Sequence, residues 1–159
     1  MNILVLEDNG SVSVTLGRAL NTEGHQILAA NGINDANHHW SQRTTVPIHA
    51  MIIDLNMRCD GLTDLQQKDS RDGLLTGWIW LRDTVLAHVP DIRNRVMFYS
   101  DYLSDLERYV PAPEYAGIRR FAKSDSSSAR DLLRYLHSMS PHVAPQLEAR
   151  NDSQIHKLP

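Results

Sequence analysis

Hydrophobic residues concentrate in five short runs, which predict the strands of a sheet. The runs are largely unbroken rather than alternating with polar residues, a pattern typical of strands that are covered on both faces. We place the five strands at Ile3–Leu6, Ile27–Ala30, Ala50–Ile53, Val96–Tyr99 and Ile118–Ala122.

Segments with helical spacing separate these runs. Apolar residues recur at intervals of three and four over Val12–Leu20, Trp78–Val89 and Ala129–Leu136. We expect Trp78 to lie in the core and Trp80 to be partly exposed. A polar segment at 34–45 and a short one at Leu103–Tyr109 complete the series. Alternating strands and helices predict an α/β fold with a parallel sheet covered by helices on both faces.

Two stretches fall outside this alternation. Residues 58–76 are mostly polar, and we interpret them as an insertion that forms a solvated loop, because they lack the residue order of a calcium loop. Residues 139–159 contain three prolines and few apolar residues, so we expect an extended or disordered tail after a domain at 1–138. This tail is shorter than the ~50 residues of the smallest domains, so we expect no effector domain in this chain.

The composition is that of an ordinary globular protein. The chain has 159 residues, of which 42% are apolar and 22% charged, and these values fit one domain. Its net charge of −3 gives no reason to expect binding to nucleic acid or to an anionic membrane. No apolar run approaches the ~20 residues of a membrane span, and the single Cys59 excludes an internal disulfide. We therefore expect a soluble, cytoplasmic protein.

Chemically active side chains follow four of the five predicted strands. Glu7 and Asp8 come after the first strand, Asp54 after the third, Ser100 after the fourth and Lys123 after the fifth. The carboxyl ends of parallel strands lie at one edge of a sheet, where ligands of such folds bind. We therefore expect these five side chains to lie close together.

This set of side chains suits the transfer of a phosphoryl group. Mg²⁺ prefers oxygen ligands such as Glu7, Asp8 and Asp54. A carboxylate such as Asp54 can also act as a nucleophile and form an acyl phosphate. The Lys123 ammonium and the Ser100 hydroxyl would then stabilise the phosphoryl oxygens.

Four segments resemble the receiver domains of response regulators, the CheY-like proteins of two-component signalling. They are ILVLEDN, MIIDLNM, VMFYS and RRFAKS, in the order of that family, and the resemblance covers residues 1–138. It implies a doubly wound, flavodoxin-like sandwich with a five-stranded sheet in the order 2-1-3-4-5. It also implies that the chain catalyses only its own phosphorylation and dephosphorylation and is otherwise not an enzyme.

The resemblance also implies roles for individual residues. Asp54 would be the phosphoacceptor, and Mg²⁺ would be bound directly by Asp8, by Asp54 and by the backbone carbonyl of Asn56, and through water by Glu7. Ser100 and Lys123 would bind the phosphoryl oxygens, and Ser100 and Phe121 would form the switch that transmits phosphorylation.

The resemblance further implies partners. A sensor histidine kinase or a histidine phosphotransfer protein would donate the phosphoryl group. A downstream effector or a second copy of the chain would bind the face formed by helix 4, strand 5 and helix 5.

Three features depart from the family pattern. The glycine that opens the third helix is Gly77, which follows the insertion. Asp101 stands where a small residue is usual, and its carboxylate is expected to slow phosphorylation or alter Mg²⁺ affinity. Ser124 replaces a proline that follows the lysine through a cis peptide bond. We predict a trans bond here, because a cis bond without proline costs about 3–4 kcal/mol.

Two other functions stay open at this point. The departures favour a receiver-like interaction module that does not depend on phosphorylation. A small metal-dependent α/β enzyme, such as a phosphohydrolase or a nuclease with clustered acids, ranks lower. Such enzymes carry a second acid two residues after the first, and position 56 is Asn.

Overall fold

Five parallel strands form one sheet, in the order β2-β1-β3-β4-β5, as predicted. The computed structural model describes residues 1–139, so the predicted tail lies outside the described residues except for Met139. The strands are β1 (Asn2–Leu6), β2 (Gln26–Ala30), β3 (Ala50–Ile53), β4 (Val96–Tyr99) and β5 (Arg119–Phe121).

In the described part of the chain, six α-helices connect and flank the strands. They are α1 (Gly10–Thr22), α2 (Ile33–Ser41), α3 (Asp64–Asp69), α4 (Thr76–Trp80), α5 (Leu103–Tyr109) and α6 (Ser128–Met139). Helix α4 continues as a π-helical segment at Leu81–Leu86, and 3₁₀ segments lie at Pro90–Arg95 and Ala112–Tyr115. Within residues 1–139, no helix is both long and apolar enough to cross a membrane.

Alternate residues of the central strands pack into two cores, one on each face of the sheet. In β1, Ile3 and Val5 join the core formed with Leu16 of α1 and Leu132 of α6. The opposite face of the sheet packs against residues of α2, α4 and α5, among them Ala36, Trp78 and Leu106. The structure is therefore the predicted three-layer α/β sandwich.

Trp80 is fully buried, so the expectation that it is partly exposed is wrong. Its indole Nε1 donates a hydrogen bond of 2.8 Å to Asn37 Oδ1 on α2. Trp78 is buried as expected, and its ring packs edge-on against Phe98 of β4. Helix α4 is thus covered on the side of the sheet and on the side of α2.

The interpretation of residues 58–76 as a solvated loop is also wrong, because they contain helix α3. Thr63 and Gln66 cap this helix reciprocally: the Thr63 hydroxyl accepts from Gln66 N, and the Gln66 amide oxygen accepts from Thr63 N. Leu62 and Leu75, which lie before and after this helix in the sequence, are buried in the core.

Side chains hold α3 against the π-helical segment. Gln66 Nε2 donates to Asp83 Oδ2 over 3.2 Å, and Arg82 forms an ion pair with Asp69 at the same distance. The two ends of the insertion also meet, because Thr76 Oγ1 donates to the carbonyl of Met57 over 2.9 Å. The insertion is therefore a folded unit with its ends side by side.

Candidate functional site

The pairing of β1 with β3 brings the three candidate acids together. Leu6 pairs with Ile53, and Asp54 N donates to the carbonyl of Leu6 over 2.9 Å, which aligns the residues that follow both strands. Carboxylate oxygens of Glu7, Asp8 and Asp54 lie within 4.8 Å of one another. The predicted convergence of these acids is present.

Lys123 reaches these acids from the loop that follows β5, a strand at the edge of the sheet. Its Nζ lies 2.6 Å from Glu7 Oε2 and 2.6 Å from Asp54 Oδ2. The site is shielded from solvent, because the side chains of Lys123, Glu7 and Asp54 are 17%, 3% and 8% exposed. One ammonium therefore bridges two nearly buried carboxylates.

Burial and the ion pairs shift the pKa values of two of these groups. Burial raises the pKa of Glu7, and the nearby Asp54 charge adds to this effect, although the hydrogen bond from Lys123 opposes it. Burial by itself would lower the pKa of Lys123, but the hydrogen bonds to Asp54 and Glu7 outweigh it and raise that pKa. The ammonium form of Lys123 is thus strongly favoured.

Ser100 lies beside the phosphoacceptor candidate and is fully buried. Its Oγ accepts hydrogen bonds from Leu55 N at 3.4 Å and from Tyr102 N at 3.2 Å. Since Leu55 directly follows Asp54, the Ser100 hydroxyl lies at the same edge of the sheet as the acids. Its own proton remains available for donation to a further acceptor.

Asn56 and Phe121, the two remaining predicted residues, take different positions. Asn56 N donates to Asp54 Oδ1 over 3.4 Å, so its backbone is next to the acids. Phe121 is half-buried on the α6 side of the sheet, with its ring centroid 6.4 Å from that of Tyr135. Its backbone carbonyl accepts from Ser100 N over 3.0 Å, which links the two switch candidates directly.

Gly77 lets α4 approach the acids closely. A Cβ atom at this position would lie 1.9 Å from the Asp54 carbonyl oxygen and 2.7 Å from Ile53 Cγ2. The Gly77 N–H donates to the carbonyl of Leu55 over 3.1 Å. This contact is consistent with the prediction that Gly77 lies at the start of the helix that follows the insertion after β3.

Two backbone N–H groups donate hydrogen bonds to the acids, and the sequence could not predict them. Arg58 N donates to Asp8 Oδ2 over 3.3 Å, and Asn9 N donates to Glu7 Oε1 over 3.0 Å. Any residue type except proline offers this donor, so residue identity carries no signal for it. These contacts fix the orientation of both carboxylates.

The loops after β4 and β5 are joined by Asp101. Its Oδ1 accepts a hydrogen bond from Ser124 N at 2.6 Å. The described residues contain no cis peptide bond, so the bond between Lys123 and Ser124 is trans, as predicted.

The donor set fits a Mg²⁺ ion. Three carboxylates and one ammonium leave two formal negative charges in a small, largely buried volume, which favours a bound cation. The available donors are hard oxygen atoms, which suit Mg²⁺ better than a thiophilic metal. The groups that could hold it are the carboxylates of Glu7, Asp8 and Asp54 and the backbone carbonyl of Asn56.

Comparison with models of protein families gives no match, and comparison with curated proteins gives none either. Solved structures do match, at low sequence identity. The receiver domain of HemR from Leptospira biflexa has a TM-score of 0.62 at 17% identity, over 89% of this chain and 98% of that one. The chain has the receiver-domain fold.

Other receiver domains match over a similar extent. A response regulator receiver protein from Pseudomonas putida has a TM-score of 0.57 at 20% identity, over 86% of this chain and 95% of that one. A response regulator receiver domain from Clostridium thermocellum has a TM-score of 0.60 at 17% identity, over 87% and 92%. In the receiver fold of this chain, the candidate site lies at the carboxyl edge of the sheet.

Proposed function

We propose that this chain is a phosphorylation-dependent switch of a two-component pathway, with Asp54 as its phosphoacceptor. The observation that carries the proposal is the contact of Lys123 with both Asp54 and Glu7 at 2.6 Å, beside Asp8, in a receiver fold. An acidic cluster alone is common on protein surfaces. A nearly buried one that shares a lysine at the ends of three parallel strands is far more specific.

The chemistry begins with attack of an Asp54 carboxylate oxygen on the phosphorus of a phosphohistidine. The P–O bond forms as the P–N bond breaks, and the imidazole of the donor leaves. Lys123 then moves from the Asp54 carboxylate to a phosphoryl oxygen, and the Ser100 hydroxyl donates to another. Bound Mg²⁺ would supply charge neutralisation between the acids and the phosphoryl group.

The new contacts of Ser100 would be transmitted to Phe121 through the hydrogen bond between their backbones. Phe121 packs against α6, so its displacement would alter the face formed by α5, β5 and α6. This face corresponds to helix 4, strand 5 and helix 5 of the sequence prediction, since α3 adds one helix to the count. We propose it as the surface for a downstream effector or a second copy of the chain.

Phosphorylation of Asp54 is the first prediction to test. Incubation with phosphoramidate and Mg²⁺ should add one phosphoryl group, measured by intact-protein mass spectrometry. Asp54→Asn should abolish this addition, because a neutral side-chain amide, unlike a carboxylate, does not act as the nucleophile in this reaction. Asp60→Asn, a matched change at an exposed aspartate of the insertion, should leave it intact.

Two results would contradict this proposal. Absence of phosphoryl transfer to the unaltered protein at millimolar Mg²⁺ would favour an interaction module that is independent of phosphorylation. Equal phosphorylation of the Asp54→Asn variant would place the acceptor elsewhere.

The insertion at 58–76 is a second point to test, because its first residue donates to Asp8. We propose that the insertion limits access to the acids. Deleting residues 60–72 joins Cys59 to Gly73, which already lie side by side: a Cβ on Gly73 would be 3.9 Å from Cys59 Sγ. The shortened protein should be phosphorylated several-fold faster by phosphoramidate, measured by mass spectrometry over time.

Leu65→Ala provides a matched control for this deletion, since Leu65 is 71% exposed on α3 and its loss should leave the rate unchanged. An unchanged rate in a folded deletion variant would show that the insertion does not limit access.

A further inference from the structure

The side chain of Asp101 connects the two loops that carry Ser100 and Lys123. Asp101 directly follows Ser100, and Ser124 directly follows Lys123. The hydrogen bond from Ser124 N to Asp101 Oδ1, at 2.6 Å, therefore joins the neighbours of both candidate phosphoryl-binding residues. A carboxylate acceptor makes this bond roughly twice as strong as one between neutral groups.

This contact continues the pairing of β4 and β5 beyond the end of the sheet. The last strand pair is Tyr99 with Phe121, and Ser100 N then donates to the carbonyl of Phe121. The backbone pairing stops there. The Asp101 side chain takes the next position along the same edge and binds Ser124.

The contact also accounts for two departures from the receiver pattern at once. Proline has no N–H, so the donor exists only because position 124 is not proline. The small residue usual at position 101 has no carboxylate, so the acceptor exists only because that position is Asp. Each departure supplies one half of the same hydrogen bond.

We propose that Asp101 is a positioning residue for Lys123. It fixes the backbone next to Lys123, and this lets the long, flexible lysine side chain place its ammonium between Glu7 and Asp54. Its effect on phosphoryl transfer rests on the proposed function, whereas its effect on the Lys123 geometry does not. The proposal differs from the expectation that Asp101 acts through its charge on phosphorylation or Mg²⁺.

Two substitutions of Asp101 separate position from charge. Asp101→Asn keeps an oxygen acceptor for Ser124 N and removes the charge, whereas Asp101→Ala removes both. If Asp101 positions Lys123, the Asp101→Asn variant should react with phosphoramidate at a rate within about twofold of the unaltered protein. The Asp101→Ala variant should react about tenfold more slowly. The loss in the Ala variant should fall on the maximal rate rather than on the KM for phosphoramidate.

Equal acceleration by both substitutions would show that the charge of Asp101 dominates, and this result would overturn the proposal. Changes at the donor provide a second test. Ser124→Pro removes the N–H and should match Asp101→Ala, while Ser124→Ala keeps the N–H and serves as its control. In the double variant, Asp101→Ala with Ser124→Pro, the two losses should not add, because both remove one contact.

A measurement without any phosphoryl donor keeps this proposal distinct from the proposed function. Only Lys68, Lys123 and Lys157 are lysines, so the ¹⁵N NMR signal of the Lys123 ammonium can be assigned by substitution. Asp101→Ala should shift or broaden that signal, and Asp101→Asn should preserve it. If the NMR signals change as expected but the protein is never phosphorylated, only the proposed function is contradicted. An unchanged Lys123 signal in Asp101→Ala would contradict the positioning role.

Discussion

Replacing Gly77 with alanine is expected to lower the free energy of unfolding by about 3 kcal/mol, a large part of the stability of a typical domain. The added methyl group would lie 1.9 Å from the Asp54 carbonyl oxygen, which is backbone and cannot rotate away. Helix α4 would have to move outward and would weaken the hydrogen bond from Gly77 N to Leu55. Urea denaturation should show a lower midpoint with an unchanged slope.

Gly17→Ala is the matched control for this change. Gly17 lies within α1, and a Cβ there would have no neighbour within 4 Å apart from the adjacent residues and the backbone of its own helix. Alanine should therefore stabilise the protein by about 0.5–1 kcal/mol through helix propensity alone. A Gly77→Ala variant as stable as the unaltered protein would mean that α4 is not packed this closely against β3.

Replacing Lys123 with alanine should destabilise the protein strongly in the absence of divalent ions. Glu7 and Asp54, at 3% and 8% exposure, would then face each other without a cation. Removing one partner of a buried ion pair costs about 3–5 kcal/mol, because the remaining charge stays desolvated. We expect a loss of about 3 kcal/mol in EDTA, measured by urea denaturation.

Mg²⁺ should restore much of this stability, because a cation held by the acids would replace the missing ammonium. Phosphorylation of the Lys123→Ala variant should nevertheless fall about 100-fold, the usual effect of losing one donor to a developing anionic oxygen. Lys68→Ala, at an exposed lysine of α3, should change neither property. Equal stability of the Lys123→Ala variant with and without Mg²⁺ would show that the acids do not hold the ion.

The sequence was sufficient to predict the sheet and the convergence of the acids. The three central strands are largely buried on both faces and leave unbroken apolar runs, whereas the edge strands β2 and β5 are partly exposed. Parallel pairing then places whatever follows each strand at one edge. Asp54 and Lys123, 69 positions apart, could be brought together by this rule alone. The roles of these residues in phosphoryl transfer stay predictions, as do those of Ser100 and Phe121.

Helix α3 was missed for a physical reason. It has six residues and buries none of them, so it lacks the apolar periodicity that identifies longer helices. Its one signal was the pair of Thr63 and Gln66, three residues apart, which is the spacing of a capping box. Asp101 and Ser124 both depart visibly from the family pattern, but nothing in the sequence pairs them, because the donor is a backbone N–H.

The closed ends of the insertion have a consequence for how this protein can diversify. The hydrogen bond from Thr76 to the Met57 carbonyl holds the two ends together, and the cost of closing a loop rises only slowly with its length. We therefore expect that segments of other lengths and compositions can be exchanged at this place while Asp54 and Gly77 keep their separation. Because the ends are held together, we expect that a reporter peptide can replace residues 60–72 next to the acids.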